Sequence, residues 1–326
     1  MGRALDPDFL IIGAGVLGLS SALGLIERGA RVRIVERRAV GRESSWAGGG
    51  ILSPLCPWDY PEEVTRLTAR SAAQFPAWAA ALHAATGIDP EYERSGMLVL
   101  PPFDAAAAQQ WCAAHGVALQ RVEATDTLPE QAGDALLLPE VAQVRNPRLM
   151  RALRQRVLAL GVKIVEQCAV EGMATEGGRV QALATSCGAQ RAGGYIVTAG
   201  AWSKQVLGEH ALQLDISPVR GQMLLFKFAA PPLRHVVLQD GLYLIPRRDG
   251  HLLVGSTLEA VGFDKSTTGA ARDSLWQRAQ MLLPQLRGMP LVQHWAGLRP
   301  ASPHNIPTIG RHPQLENLYV NSGHFR

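Results

Sequence analysis

Cysteine is scarce in this chain. Its four cysteines, Cys56, Cys112, Cys168 and Cys187, stand far apart and form no C-x-x-C pair. Neither a disulfide framework nor a metal site is expected, and the thiols read as buried or merely tolerated. No stretch reaches the ~18 uninterrupted apolar residues that argue for a membrane-spanning helix. The start, Met1 to Asp6, is too polar for a secretory leader and lacks the Ser or Thr at position 6 that a myristoylation signal would carry. The expected compartment is the cytoplasm. Charged residues make up only 18% of the chain, and its net charge of +4 is spread without a dense basic run. Nucleic acid is therefore not an expected partner. No His/Asp constellation for acid–base or nucleophilic catalysis stands out, and there is no internal repeat.

Against those absences, one stretch is dense with information. Phe9 to Ile12 is an apolar run that reads as a buried parallel strand. It stops at Gly13, and Gly13, Gly15 and Gly18 fall in the G-x-G-x-x-G pattern. Leu17, Leu19, Leu23, Leu25 and Ile26 then recur at roughly helical spacing. A second strand, Arg31 to Val35, ends on Glu36, 23 residues after Gly13. Such a unit binds a dinucleotide for mechanical reasons. Gly13 permits the tight turn, Gly15 lets a pyrophosphate approach the backbone, and Gly18 allows the helix to pack on the strands. The helix N-terminus offers N–H groups and partial positive charge to the phosphates. Glu36 can accept hydrogen bonds from ribose hydroxyls.

Arg37 and Arg38 would suit a 2′-phosphate, hence NADP, but Glu36 would face that phosphate with like charge. The segment Ser44-Ser45-Trp46-Ala47-Gly48-Gly49-Gly50-Ile51 then suggests backbone held against something large. A flavin dinucleotide is long enough to need such a second contact. The competing reading is a flexible surface loop, disfavoured by Trp46, Ile51 and Leu52, since a solvated linker would be polar.

The length of 326 residues suggests about two domains. Helices are expected over 61–86, 104–115, 146–160 and 269–283, and a strand over 95–100. Gly161 stops the third helix, and Val162 to Val165 resumes the doubly wound pattern. Strands near 169–173 and 179–185 suit a hairpin. The strand 195–198 runs into the small residues Ala199, Gly200 and Ala201, where a ligand can touch backbone. Residues 118–142 show no evident chemistry. From Ser217 the pattern turns antiparallel: strands at 218–226, 242–246, 251–255 and 292–300, with Asp249-Gly250 in a turn. Arg247 and Arg248, beside that turn, read as solvated. Ser322-Gly323 is the kind of turn that opens a helix, and no helix follows in the sequence.

These residues resemble the D-amino acid oxidase superfamily of flavoproteins, and within it the glycine oxidase branch of thiamin biosynthesis. The resemblance rests on Ile12 to Gly18, Glu43 to Ile51, Tyr243-Leu244-Ile245-Pro246-Arg247, Gly255-Ser256-Thr257, Trp295 to Pro300, Ile309 to Pro313 and Gly323-His324-Phe325-Arg326, in the expected order across almost the whole chain. It implies an α/β fold: a Rossmann-like FAD-binding domain (1–88, 143–217 and 300–326) with an inserted α+β substrate domain built on an antiparallel sheet (89–142 and 218–299). It implies FAD held noncovalently, since the cysteine that links flavin in the sarcosine-oxidase branch lies in a C-terminal region that has none here. By position, the flavin would be held by Gly13, Gly15, Val16, Gly18, Glu36, Arg37, Ser44, Ser45, Ala47, Gly48, Gly49, Gly50, Val170, Ala199, Gly200, Trp202, Gly323, His324 and Phe325. Tyr243 and Arg299 would bind the substrate carboxylate, Arg326 would lie by the reacting atoms, and Ile51 and Leu258 would limit the substrate side chain.

The reaction so implied is oxidation of a small amino acid or secondary amine at Cα, with hydride transfer to flavin N5. Hydrolysis of the imine gives an oxo acid and ammonia, and O2 is reduced to hydrogen peroxide. Amino acid and O2 are the expected partners, and homo-oligomerisation is left open. Two alternatives stay open at this level. One is a small D-amino acid dehydrogenase passing electrons to a quinone. The other is a chain that binds FAD without turnover, because the element after Arg326 is missing from it.

Overall fold

The computed structural model describes residues 6–128, 131 and 133–325. Its organising strand, β1 (Phe9–Ile12), buries Leu10, Ile11 and Ile12, the profile of a parallel strand covered on both faces. α1 (Val16–Ile26) follows and turns Gly18, Leu19, Ala22 and Leu23 inward. β2 (Val32–Val35) then pairs with β1 in parallel, Phe9 opposite Val32. The sheet has six strands, in the order Thr308–Arg311, Leu318–Ser322, Gly194–Val197, β1, β2, Lys163–Val165. Only the edge strand Thr308–Arg311 runs antiparallel to its neighbour.

Two contacts close the turn at the end of β1. The Thr198 hydroxyl reaches the carbonyls of Ile12 and Gly13 at 3.0 and 2.9 Å, tying the exits of two adjacent strands together. Gly18 lies so close beneath that turn that a Cβ on it would sit 1.9 Å from the Gly13 carbonyl oxygen. Close packing of helix on turn is thus the physical demand at this position.

The second sheet has eight strands, in the order Gln293–Ala301, Ser217–Lys227, His251–Gly255, Leu242–Pro246, Val236–Gln239, Met97–Val99, Asp134–Leu138, Gln120–Glu123. Its pairs are antiparallel except Val236–Gln239 with Met97–Val99. Side chains alternate between its faces, as strand geometry requires. Leu224, Leu244 and Val254 pack with Leu275, Ala279 and Leu282 of the helix Gly269–Leu282. Met223, Tyr243 and Leu253 point to the opposite face. That alternation aims Tyr243 away from the helix-covered core.

The expected helices appear as Glu62–Thr86, Ala105–His115, Asn146–Ala159 and Gly269–Leu282. The hairpin is Val170–Glu176 with Arg179–Thr185. The stretch 118–142, without a clear pattern in sequence, supplies two strands of the larger sheet, and Val236–Gln239 is a further strand that sequence left unmarked. These are runs of four or five residues, and distant pairing rather than local preference makes them strands. No helix among the described residues is long and apolar enough to cross a membrane.

Gly18→Ala should destabilise the fold, because its contact is backbone that cannot swing away. A loss of about 1–3 kcal/mol is expected, read as a lower urea midpoint. An unchanged midpoint would refute the packing role.

Candidate active site

A cavity of about 690 Å³ lies between the C-terminal ends of the parallel strands and the Tyr243 face of the larger sheet. Its wall includes Gly13, Gly15, Val16, Glu36 and Arg37 from the β1–α1–β2 unit, then Ser44, Ser45, Gly48, Gly49, Gly50 and Ile51. Val170, Ala199, Gly200 and Trp202 join it, as do Tyr243, Arg299, His324 and Phe325. Residues far apart in sequence thus share one hollow.

At the dinucleotide-type unit, Glu36 is 8% exposed. Its carboxylate accepts from the Ala14 N–H at 2.8 Å and the Arg38 N–H at 3.0 Å, leaving further lone pairs for a ligand. Ser45 Oγ accepts from the Val16 N–H at 2.9 Å, pinning the second glycine segment to the first. A Cβ on Gly15 would stand 3.0 Å from that same oxygen. The Arg37 guanidinium lies 3.6 Å over the Trp202 ring, which stacks on Phe263 with centroids 5.5 Å apart. Arg37 and Lys265 both reach Glu43, at 3.1 and 2.9 Å.

On the larger sheet, Arg299 donates through Nη1 to the Thr257 carbonyl at 3.2 Å and through Nη2 to Ser256 Oγ. Both acceptors are neutral, and among the described residues no carboxylate pairs with it. Its guanidinium lies flat on Gly221: a Cβ there would come within 2.1 Å of Nη1 and 2.6 Å of Cζ. The Tyr243 hydroxyl donates to Met223 Sδ at 3.3 Å, a weak acceptor that a better one would displace. Gly255 and Gly49 make room for the Tyr243 ring, since a Cβ on either would stand 2.9 or 3.4 Å from its Cε2. His324 shares a hydrogen bond with Asn321 Oδ1 at 2.9 Å. Burial pushes its pKa down to about 4, so the ring is neutral at pH 7.

Several expected site residues are placed elsewhere. Leu258 is 56% exposed and outside the cavity wall. It sits in an extended segment where Thr257 Oγ1 accepts from the Gln222 N–H and Glu259 binds Arg220. With 257 and 259 facing inward, 258 must face out. Gly18 packs under the turn without lining the hollow. Ala47 is buried beside the wall, its carbonyl accepting from Trp295 Nε1 at 3.0 Å. Gly323, also behind the wall, accepts from Ser302 Oγ at 2.8 Å. Arg326 lies outside the described residues.

The solvated reading of Arg247 is overturned. It is 4% exposed and donates to Gln143 Oε1, the Val144 carbonyl and the Gly49 carbonyl at 2.7, 2.9 and 2.6 Å. Burial, with Arg145 nearby, brings its pKa down to about 10, which leaves it charged. Arg248 is half-exposed but bonded to Glu93 and the Tyr92 carbonyl. The sequence also gave no sign that Ser71 and Phe75 of the long helix, Asn146, Cys168, Thr198 and Gln205 line the cavity. Gly221, beneath Arg299, has only its lack of a side chain to announce it.

A model of the FAD dependent oxidoreductase family matches residues 8–326. The chain is 44% identical to a glycine oxidase of Pseudomonas putida over 99% of its own length and 90% of that protein. It is 31% identical to the bifunctional protein ThiO/ThiG of Trichormus variabilis, covering 99% of this chain and 50% of that one. Its fold is similar to the crystal structure of glycine oxidase from Geobacillus kaustophilus, with a TM-score of 0.93, 26% identity, and coverage of 99% of this chain and 90% of that one.

Gly221→Ala should leave the fold intact and push the Arg299 guanidinium aside. Binding of a small carboxylate such as acetate should weaken by at least about tenfold, or ~1.4 kcal/mol, by titration; unchanged affinity would show that Gly221 does not set the arginine. The depressed His324 pKa has its own consequence. Between about pH 4 and 6.5 the unfolded chain takes up a proton that the folded chain refuses. The stability contributed by this neutral ring is complete above pH 6.5 and lost as pH falls through that window. His324→Asn should flatten the dependence of the urea midpoint on pH there.

Proposed function

The chain belongs to the family of FAD-dependent oxidoreductases, and from that premise we propose that it oxidises glycine, or a small relative such as sarcosine, at Cα. The observation that carries the reading is the Arg299 guanidinium, bonded among the described residues only to neutral oxygens, in the wall of a cavity that also holds the dinucleotide turn. A partly buried cation without a carboxylate invites one from a ligand, and its planar fork suits two parallel hydrogen bonds.

The residues present fit FAD. Gly13 and Gly15 bring no side chain toward the pyrophosphate, Glu36 has acceptor capacity for ribose, and Ser45 braces the α1 N-terminus. Gly48, Gly49 and Gly50 offer backbone along the cavity, with Val170, Ala199, Gly200 and Trp202 on the dinucleotide side. Bound FAD supplies the acceptor for the hydride leaving Cα and passes the electrons to O2, giving hydrogen peroxide. The chain's own residues position the substrate. Arg299 grips the carboxylate, the Tyr243 hydroxyl adds a neutral donor, and Ile51 limits the side chain. The acids among the described wall residues are Glu36 and Glu43, both committed to the dinucleotide side, and His324 is neutral. With its pKa near 4 the His324 ring is a weak base, and among the described wall residues none is set up to take the ammonium proton, so the amine enters already deprotonated. Hydrolysis of the imine then yields the oxo acid, with ammonia from glycine or methylamine from sarcosine.

In this reading the parallel-sheet segments (1–88, 143–217, 300–326) hold FAD and the others (89–142, 218–299) present the substrate. The ThiO/ThiG relative, of which the chain spans half, supports a product destined for thiazole synthesis in thiamin biosynthesis.

Purified protein loaded with FAD should be yellow, bleach anaerobically on addition of glycine, and release peroxide in air. Arg299→Gln should lower kcat/KM by about a hundred- to several-thousand-fold, the ~3–5 kcal/mol lost when one partner of a buried ion pair is removed. A flavin that stays oxidised with both glycine and sarcosine would refute the proposal.

A further inference from the structure

We propose that Cys168 and Cys187 form a dithiol that hydrogen peroxide closes to a disulfide, making a redox-modification site at the rim of the cofactor cavity. The two are separated in sequence but joined by the hairpin Val170–Glu176 with Arg179–Thr185, whose first pair is Val170 opposite Thr185. The ladder continues one step outward: the Ser186 N–H donates to the Ala169 carbonyl at 2.9 Å, and the Ala169 N–H donates to Ser186 Oγ at 2.9 Å. The chain then turns, the Gly188 N–H donating to the Thr185 carbonyl at 2.9 Å, and Cys187 lies in that turn. Cys187 Sγ donates to the carbonyl of Gln167, the residue before Cys168, at 3.7 Å, which brings this thiol to the Cys168 backbone; a disulfide needs Cα atoms ~4.4–6.8 Å apart.

Side-chain contacts bring the two cysteines together at Thr185. Cys168 Sγ donates to Thr185 Oγ1 at 3.3 Å, and the same oxygen accepts from the Cys187 N–H at 3.2 Å. Cys168 beside it holds the Cys187 thiol above its ordinary pKa. Their exposure is unequal. Cys187 is open to solvent, while Cys168 is 1% exposed and lines the cavity. The Cys168 N–H also donates to the Glu36 backbone carbonyl at 2.8 Å, which fixes the Cys168 backbone beside the end of β2.

The chemistry balances with peroxide as the two-electron oxidant. The Cys187 thiolate attacks one peroxide oxygen, the O–O bond breaks, and hydroxide leaves and takes a proton to become water. The sulfenic acid so formed is attacked by Cys168 sulfur, an S–S bond forms, and a second water leaves. Two thiols and one peroxide become one disulfide and two waters. The biological source of oxidant rests on the oxidase reading above, whereas the arrangement of the thiols does not. Because thiolate is the attacking form and its fraction rises about tenfold per pH unit below the thiol pKa, closure should accelerate from pH 7 to pH 8.

The test uses the full chain loaded with FAD, without amino acid. After a stoichiometric pulse of hydrogen peroxide, the protein is unfolded, alkylated and mapped by mass spectrometry. The expected result is a linked Cys168–Cys187 peptide, the loss of two alkylatable thiols with Cys56 and Cys112 still modified, and recovery of both thiols with dithiothreitol. Cys187→Ser should abolish the link and leave Cys168 alkylatable. Cys168 and Cys187 both remaining alkylatable, or Cys187 proceeding to sulfinic acid without a linked peptide, would overturn the proposal. A parallel arm replaces added peroxide by glycine and air. A link formed with added peroxide but absent in that arm supports the dithiol and counts against the oxidase reading instead.

Discussion

A single buried guanidinium holds the two halves of the site in register. Arg247 sits at the end of the strand that carries Tyr243, and it donates to the carbonyl of Gly49 and to Gln143 and Val144. The glycine segment lining the cavity therefore hangs from the antiparallel sheet. The arrangement requires the group to stay charged in a site that disfavours charge. Its contacting acceptors are neutral, and compensation comes from Glu91, Asp249 and Glu93 at longer range. Its hydrogen bonds fix the separation between the glycine segment and the strand that carries the cavity-facing Tyr243.

Around this strut, missing side chains do as much as those present. Gly18 lets α1 reach the turn, Gly49 and Gly255 leave space for the Tyr243 ring, and Gly221 gives the Arg299 guanidinium a flat bed. The segment after Gly255 then joins both ends of the cavity. Ser256 and Thr257 hold Arg299, Glu259 and Asp264 bind Arg220, Phe263 stacks on Trp202, and Lys265 reaches Glu43. The dinucleotide side and Arg299 are thereby joined through one continuous stretch of chain.

Local patterns made much of this legible in advance. The β1–α1–β2 unit was readable because its signals lie within about thirty residues and each has a steric cause: an apolar run, three spaced glycines, a terminal acid. The hairpin ending at Gly255 was readable from alternation and Asp249-Gly250. Residue types at motif positions pointed to Arg299 and Tyr243 without saying what they touch. The strands at 120–123, 134–138 and 236–239 escaped notice because runs that short take their conformation from partners far away in the chain.

The amino-acid order by itself determined where the chain turns, which runs are apolar on one face, and that a dinucleotide turn opens the fold. Those properties follow from φ/ψ limits and side-chain periodicity over a few neighbours. Only the folded arrangement decided that Arg247 is buried while Leu258 faces solvent, that Arg299 finds neutral acceptors, and that Cys168 meets Cys187. Each of those depends on which distant atoms arrive within hydrogen-bonding or van der Waals range. No window of adjacent residues encodes that distance, because it is set by the packing of two sheets against each other.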